Sequence, residues 1–304
     1  MIQRLLFLRH WQGRLLGKLF FGLVVCWLIL SYLSTFSRAV ADGLLSTVLE
    51  DVRQRPSPES SSRQHGRNDN DRNDNDHFHF FFHSHGDDDL DTFWAFVLTS
   101  PIWAPHAAVG DDFSVPAYFP RFPYQEDTYG YMMPGSCDSP QRRWSARLRA
   151  EYSDNFDDLQ RIGGHLLLST SSRWGLDTEM NYLKENLPGV ADDRLWLGDC
   201  NIVFRFAQSE RMQWRTGAGF NWLDDPDDTD FGFNFTYGVD FFPQRPWVVS
   251  ATIDWGTLGH AGLFRFRTTT GVVFHGLESY VGYEYLDIGR SQTNSLIAGV
   301  RFWF

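Results

Sequence analysis

The sequence predicts an all-β fold: a closed antiparallel transmembrane β-barrel of about ten strands, preceded by an export signal and a largely irregular N-terminal tether. Three observations carry this. Stretches of residues 143–304 alternate apolar and polar side chains with a period of two. Aromatic residues bracket several of the apolar faces at one fixed spacing. The opposite faces are rich in arginine and carboxylate.

Composition narrows the alternatives. Of 304 residues, 42% are hydrophobic and 16% aromatic, too many for a wholly disordered chain. Only one apolar run comes close to twenty residues, which excludes a helical multi-span protein. Formal net charge is 27 − 38 = −11. Arg4, Arg9, Arg14, Lys18 and Arg38 precede the first acid, so residues 42–304 carry 22 − 38 = −16. That balance argues against a nucleic-acid partner, because phosphate needs a basic surface.

Residues 1–41 read as a signal peptide. A basic segment, 1–18, leads into the apolar run Leu19 to Leu33, and Ala39-Val40-Ala41 closes it with small-x-small. Cleavage is expected after Ala41; the alternative is an uncleaved anchor, for which the run is short. Leu23-Val24-Val25-Cys26 has the outline of a lipoprotein box, but Val25 stands where a small residue is needed. Cys137 and Cys200 remain, and an exported protein can pair them. The strand pattern instead points Cys200 at lipid.

Residues 42–142 read as a low-complexity, Pro-rich tether with short helices. Leu44, Leu45, Val48, Leu49 and Val52 recur at helical spacing. Pro56 to Asp89 contains a near-repeat at 67–76 and buries too little apolar surface to fold alone. His77, His79, His83 and His85 beside Asp87, Asp88 and Asp89 form a tract able to bind divalent metal, or simply a solvated linker. Residues 90–99 resemble a turn or two of amphipathic helix. Seven prolines between Pro101 and Pro140 are expected to forbid long regular elements.

The barrel occupies 143–304. Its first strand alternates Trp144, Ala146, Leu148, Ala150 and Tyr152 with Arg143, Ser145, Arg147, Arg149 and Glu151. The second carries Ile162, Gly164, Leu166 and Leu168. The third carries Trp174 to Tyr182 against Asp177, Glu179 and Asn181. The fourth runs from Trp196 through Cys200 to Phe206 against Asp199, Asn201 and Arg205. The fifth carries Met212, Trp214, Phe220 and Trp222. The sixth is clearest, with Phe231, Phe233, Phe235, Tyr237, Val239 and Phe241 opposed by Asn234, Thr236 and Asp240. The seventh shows Trp247 to Trp255; the eighth, Phe264, Phe266 and Val272 against Arg265 and Arg267. The ninth shows Val281, Tyr283 and Tyr285 against Glu278 and Glu284, and the last Leu296 to Phe304.

Alternation alone does not separate a soluble sheet from a membrane barrel. The girdle pairs do. Trp144 and Tyr152, Trp174 and Tyr182, Trp214 and Trp222, and Trp247 and Trp255 are each eight residues apart. Eight steps, tilted by about 40°, give about 21 Å along the normal, close to the apolar band of about 25 Å. The other faces hold nine arginines (Arg143, Arg147, Arg149, Arg161, Arg205, Arg215, Arg265, Arg267, Arg301) and eight acids (Glu151, Asp177, Glu179, Asp199, Asp240, Asp254, Glu278, Glu284). Buried in a soluble core, these charges would each cost several kcal/mol if unpaired. Turned toward a wet lumen, they become a paired network built on Arg147, Arg149, Glu179, Asp199, Arg205, Arg215, Asp240, Arg265, Arg267 and Glu284.

With both barrel termini periplasmic, the odd-numbered connections face outward, and the first, third and fifth are longer and acidic. The chain resembles bacterial outer-membrane β-barrel proteins over 143–304. Gly299, Phe302 and the terminal Phe304 resemble the C-terminal signal read by the barrel-assembly machinery. The resemblance implies an outer-membrane location, with outer-membrane lipid and that machinery as partners.

The expected function is that of a small non-catalytic barrel with a charged, plugged lumen, in a structural or surface-interaction role, or at most a narrow channel. Asp224, Asp225, Asp227, Asp228 and Asp230 are candidates for divalent cations near the headgroups, with a solvated loop as the plainer reading. The second reading is an outer-membrane enzyme: omptin proteases resemble this chain in strand count, and His260 with the fifth-connection aspartates could activate water. The third is a soluble secreted β-protein. No cofactor or structural metal site is expected; phosphate-loop, zinc-cluster, nucleophile-elbow and dinucleotide motifs are absent from the sequence.

Overall fold

The computed structural model describes residues 43–54, 101–125, 128–135, 142–185 and 193–304. The expected signal segment 1–41, the His/Asp tract, residues 90–99 and Cys137 lie outside the described residues. Helix α1 spans Leu44–Arg53, and a second helix spans residues 101–109. Strands β1 (Ala117–Tyr118) and β2 (Met133–Pro134) form a small ribbon. Ten long strands follow: β3 (Trp144–Asp154), β4 (Leu159–Thr170), β5 (Trp174–Glu185), β6 (Asp193–Gln208), β7 (Met212–Asp224), β8 (Thr229–Phe241), β9 (Trp247–Leu258), β10 (Ala261–Phe274), β11 (Leu277–Ile288) and β12 (Ser291–Trp303). Each pairs antiparallel with its sequence neighbour. β12 pairs with β3 from Leu296↔Asp154 to Trp303↔Arg147, and the sheet closes. Closure satisfies every edge, a requirement for backbone in hydrocarbon.

The barrel is inside out. Phe233 and Trp255 are 53% and 54% exposed on its outer face, whereas Arg147 and Arg265 are 4% and 7% exposed within it. An apolar exterior of this extent is stable against hydrocarbon and unstable against water. The period of two decides which residues go where, because successive Cβ atoms leave a strand on opposite sides. Arg143 is the one arginine of the nine that departs: it precedes β3 and is exposed. Alternation also breaks in β6. Phe204 pairs with Thr216 and Ala207 with Trp214, so Arg205 and Phe206 together oppose Arg215 in a bulge.

Two mouths result. The near mouth is where the chain enters at Trp144 and leaves at Phe304; the far mouth carries the connections before β4, β6, β8, β10 and β12. The described parts of 42–142 are more than a tether, since they pack at both mouths and on the outer wall. The prolines do not prevent the helix at 101–109. Pro101 takes its first position, where no N–H partner is required. Pro105 has no N–H to give the Pro101 carbonyl, and Tyr237 Oη donates to that oxygen instead, at 2.6 Å.

Candidate functional site

The lumen holds eight buried arginines (Arg147, Arg149, Arg161, Arg205, Arg215, Arg265, Arg267, Arg301) and eight buried carboxylates (Glu151, Asp177, Glu179, Asp199, Asp240, Asp254, Glu278, Glu284). Glu179 is the hub. Its carboxylate accepts from Arg265 Nη1 at 2.9 Å, from Arg267 Nη1 and Nη2 at 2.7 and 2.8 Å, and from Arg149 Nη2. Arg265 reaches onward to Asp199 at 2.7 Å and Asp254 at 2.9 Å. Arg267 closes on Glu284 at 2.5 Å. Toward the near mouth, Asp240 takes Arg147 and Arg215, each at 2.8 Å. Arg301 pairs with Glu278 at 2.7 Å, and His165 with Asp177 at 2.6 Å.

Arg205 differs from the other network residues. It is buried, but its Nε donates to Gln208 Oε1 at 2.8 Å and its Nη2 to the Thr170 carbonyl at 2.9 Å. Its guanidinium also lies over Phe119. No carboxylate is its hydrogen-bond partner among the described residues, because the bulge carries it to the near rim, past Asp240. Between these charges the central cavity is about 20 Å³, room for a water or two.

An apolar stopper, a cluster of buried side chains, packs at each mouth. At the far mouth the inward positions change from charged to aliphatic: Leu159, Leu183, Leu195, Leu223, Leu258, Leu263 and Leu286 line it. Leu45, Val48 and Val52 of α1 pack into this collar. Both oxygens of Glu185 accept the free N–H groups of Leu44 and Leu45, at 2.7 and 2.8 Å, capping the positive end of the helix. At the other end Arg53 binds Asp225 at 2.8 Å and Asp230 at 3.1 Å. The Arg53 hydrogen bond to Asp225 holds that carboxyl below its ordinary pKa. Burial raises the Asp51 carboxyl, but its bonds to Arg290, at 2.7 Å, outweigh this and leave it lowered. Gly259 sits at φ +54°, and a Cβ there would lie 2.4 Å from the Val52 carbonyl, so the helix approaches this closely only over glycine.

At the near mouth Ala117, Phe119, Tyr124, Tyr131 and Met132 pack on Phe242, Val248, Val273 and Trp303. Tyr131 Oη donates to the Phe304 carbonyl at 2.9 Å, and Tyr124 Oη to that of Trp247 at 2.5 Å. Burial pushes the Tyr131 hydroxyl up to about 12, so it stays a donor. Arg173, in the β4–β5 turn, grips Asp111 at 2.6 and 2.9 Å.

The girdle residues Trp144, Tyr152, Trp174, Trp247 and Trp255 are exposed on the outer face, with Tyr182, Trp214 and Trp222 half-buried there. Cys200 is free and half-buried on that same face. Phe302 and Phe304 also face out, but Gly299 faces the lumen. A Cβ on Gly299 would meet Tyr280 Oη at 2.6 Å; that hydroxyl donates to Glu151 at 2.7 Å. Gly299 therefore has a packing reason independent of any signal. In the acidic connection, Arg53 supplies the cation for Asp225 and Asp230. His260 meets α1 through its backbone, N–H to the Val52 carbonyl at 2.8 Å. Among the described residues no group of three or more His, Cys, Asp or Glu is placed to hold a metal ion.

Sequence reading missed the stoppers. The leucine collar is visible in hindsight as apolar residues at lumen parity near the far strand ends; nothing local shows that α1 fills it.

No protein-family model matches the chain, and no curated protein matches its sequence. Solved structures do match its barrel. The β domain of the Bordetella autotransporter Brka is 15% identical, over 53% of this chain and 98% of that one, with a TM-score of 0.33. The NanC porin is 10% identical over 52% and 98%, with a TM-score of 0.34. The N-terminal β-barrel domain of Pseudomonas aeruginosa OprF is 12% identical over 53% and 97%, with a TM-score of 0.28. At such values the transmembrane-barrel assignment rests on the chain's own closure and polarity.

Proposed function

We propose that this chain is a non-catalytic outer-membrane barrel that is closed at rest and serves a structural or surface-interaction role. One observation carries the reading: eight arginines and eight carboxylates fill the lumen between two apolar stoppers. A pore lined with paired charge, with a central cavity of about 20 Å³, presents a high barrier to any ion. The apolar exterior and the aromatic girdle support the outer membrane as its location. The near mouth is assigned to the periplasm, because the far mouth carries the acidic connections. The reading has no enzyme in it: of the far-rim aspartates that an acid–base pair would use, Asp225 and Asp230 are bound by Arg53.

Planar-bilayer recording of the full chain tests this. The expected record is a baseline without stable openings. Sustained ohmic conductance of general-porin size overturns the closed reading.

A further inference from the structure

We propose that the near mouth carries a binding site for the headgroup of an anionic phospholipid, in the cavity between residues 122–125 and the β8–β9 and β10–β11 turns. This rests on reading the barrel as membrane-spanning. The cavity measures about 170 Å³, against about 20 Å³ at the centre of the lumen. Residues 122–125 form one wall; Arg245, Val273 and His275 form the other. Space of this size holds several waters, and so admits a phosphate group.

The walls are fixed by contacts that leave the cations free. Tyr124 Oη donates to the Trp247 carbonyl at 2.5 Å, and Gln125 Oε1 accepts the Arg121 N–H at 2.8 Å, which ties the 122–125 wall to the barrel rim. The His275 ring stands edge-on to Phe274 at 4.3 Å and tilted to Phe122 at 6.3 Å. Arg245 and His275 are both exposed, and among the described residues neither side chain has an ion pair or a hydrogen-bond partner. No lining residue is acidic. A guanidinium offers five donors and no acceptor, in a fork that matches phosphate oxygens. Arg121, Arg143 and Arg211 are also exposed at the near rim without an ion pair among the described residues, so the surroundings favour an anion too.

Height selects a lipid over a free anion. Trp247 belongs to the near girdle, the level at which aromatic rings meet headgroups. It pairs with Val272, and Phe274 lies two positions further on, about 5 Å toward the near side along the normal at a tilt of about 40°. Phe274 is 72% exposed on the outer face, and Trp247, Val272 and Leu277 are exposed beside it. His275 follows Phe274 directly. An apolar patch for acyl chains therefore adjoins a cationic cavity at headgroup height. A free phosphate would use the donors and leave the patch uncovered; a phospholipid covers both. Basic pockets at a membrane surface recognise anionic headgroups by this combination.

Native mass spectrometry of the full chain in detergent, titrated with phosphatidylglycerol, tests the site. Phosphatidylglycerol should be retained more tightly than phosphatidylcholine. The double variant Arg245→Gln, His275→Asn should lose at least about tenfold in phosphatidylglycerol affinity, the value of a charge-assisted hydrogen bond, while Arg211→Gln stays within about twofold. Both substitutions lie in turns, and asparagine suits the φ of +48° at position 275, so the barrel should still close; heat-modifiable gel migration checks this. Unchanged affinity in the double variant overturns the site. An equal loss in Arg211→Gln also overturns it, in favour of a diffuse basic rim. Displacement of the lipid by inorganic phosphate at equal concentration overturns the lipid assignment. Failure of the parent to float with phospholipid vesicles overturns the membrane reading itself, and the site with it.

Discussion

Glu179→Gln removes the hub charge of the lumen while keeping its shape. The Glu179 carboxylate accepts from Arg265 at 2.9 Å, from Arg267 at 2.7 and 2.8 Å, and from Arg149, with Arg161 at 3.5 Å. The variant leaves eight buried arginines facing seven carboxylates, with no bulk water to compensate. Breaking a buried ion pair at one partner costs about 3–5 kcal/mol. Glutamine keeps one acceptor oxygen, so the low end applies: about 3 kcal/mol, or roughly a hundredfold in the unfolding equilibrium. Urea unfolding in detergent micelles, followed by tryptophan fluorescence, measures it. Glu210→Gln on the exposed β6–β7 turn is the control and should stay within about 0.5 kcal/mol of the parent. A double-mutant cycle with Arg267→Gln should show a coupling of about 0.5–3 kcal/mol. If Glu179→Gln unfolds within about 0.5 kcal/mol of the parent, the lumen is wet and loosely paired, and the hub argument is refuted.

Other outcomes follow from the stoppers. Val48→Asp places a carboxylate in the leucine collar and loses a side chain whose burial is worth about 1.5–3 kcal/mol, so α1 should leave the mouth; the Arg53–Gln54 region would then be cut by trypsin faster than in the parent, and unchanged protection would count against the packing. Docking of α1 should also weaken in acid. Asp51 and Asp225 ionise more readily when α1 is docked, so the undocked chain binds more protons, and the contribution is present above the ordinary carboxylate pKa of about 4 and lost as pH falls below it. Hydrogen exchange of Leu45 and Val48 amides at pH 7 and pH 3, corrected for intrinsic rates, reads this directly; equal protection at both pH values would rule it out. Tyr237→Phe removes the hydrogen bond from the Tyr237 hydroxyl to the Pro101 carbonyl, and should cost about 1 kcal/mol without altering barrel assembly; urea midpoints decide it.

Much of the fold was legible because strand polarity is local. The run from Phe231 to Phe241 names its own two faces, since a one-residue slip would move every phenylalanine from lipid to lumen. The same parity placed Arg147, Arg149, Glu179, Asp199, Arg215, Asp240, Arg265, Arg267 and Glu284 together within the wall. It failed at Phe206, where a bulge, which leaves no mark in apolar periodicity, carries Arg205 away from the carboxylates. It also over-read Arg143, which stands before the first paired residue.

The sequence by itself determined the number of strands, their facing and the inside-out polarity, because each follows from alternation between residues one and two apart. Only the tertiary structure decided which arginine meets which acid, that α1 fills one mouth and the β1–β2 ribbon the other, and that Pro101 rests on the outer wall. Those contacts join residues far apart in the chain, such as Leu44 to Glu185 and Tyr237 to Pro101, separated by 141 and 136 positions. Closing the barrel brings such residues into contact, and no local pattern encodes a distance of that kind.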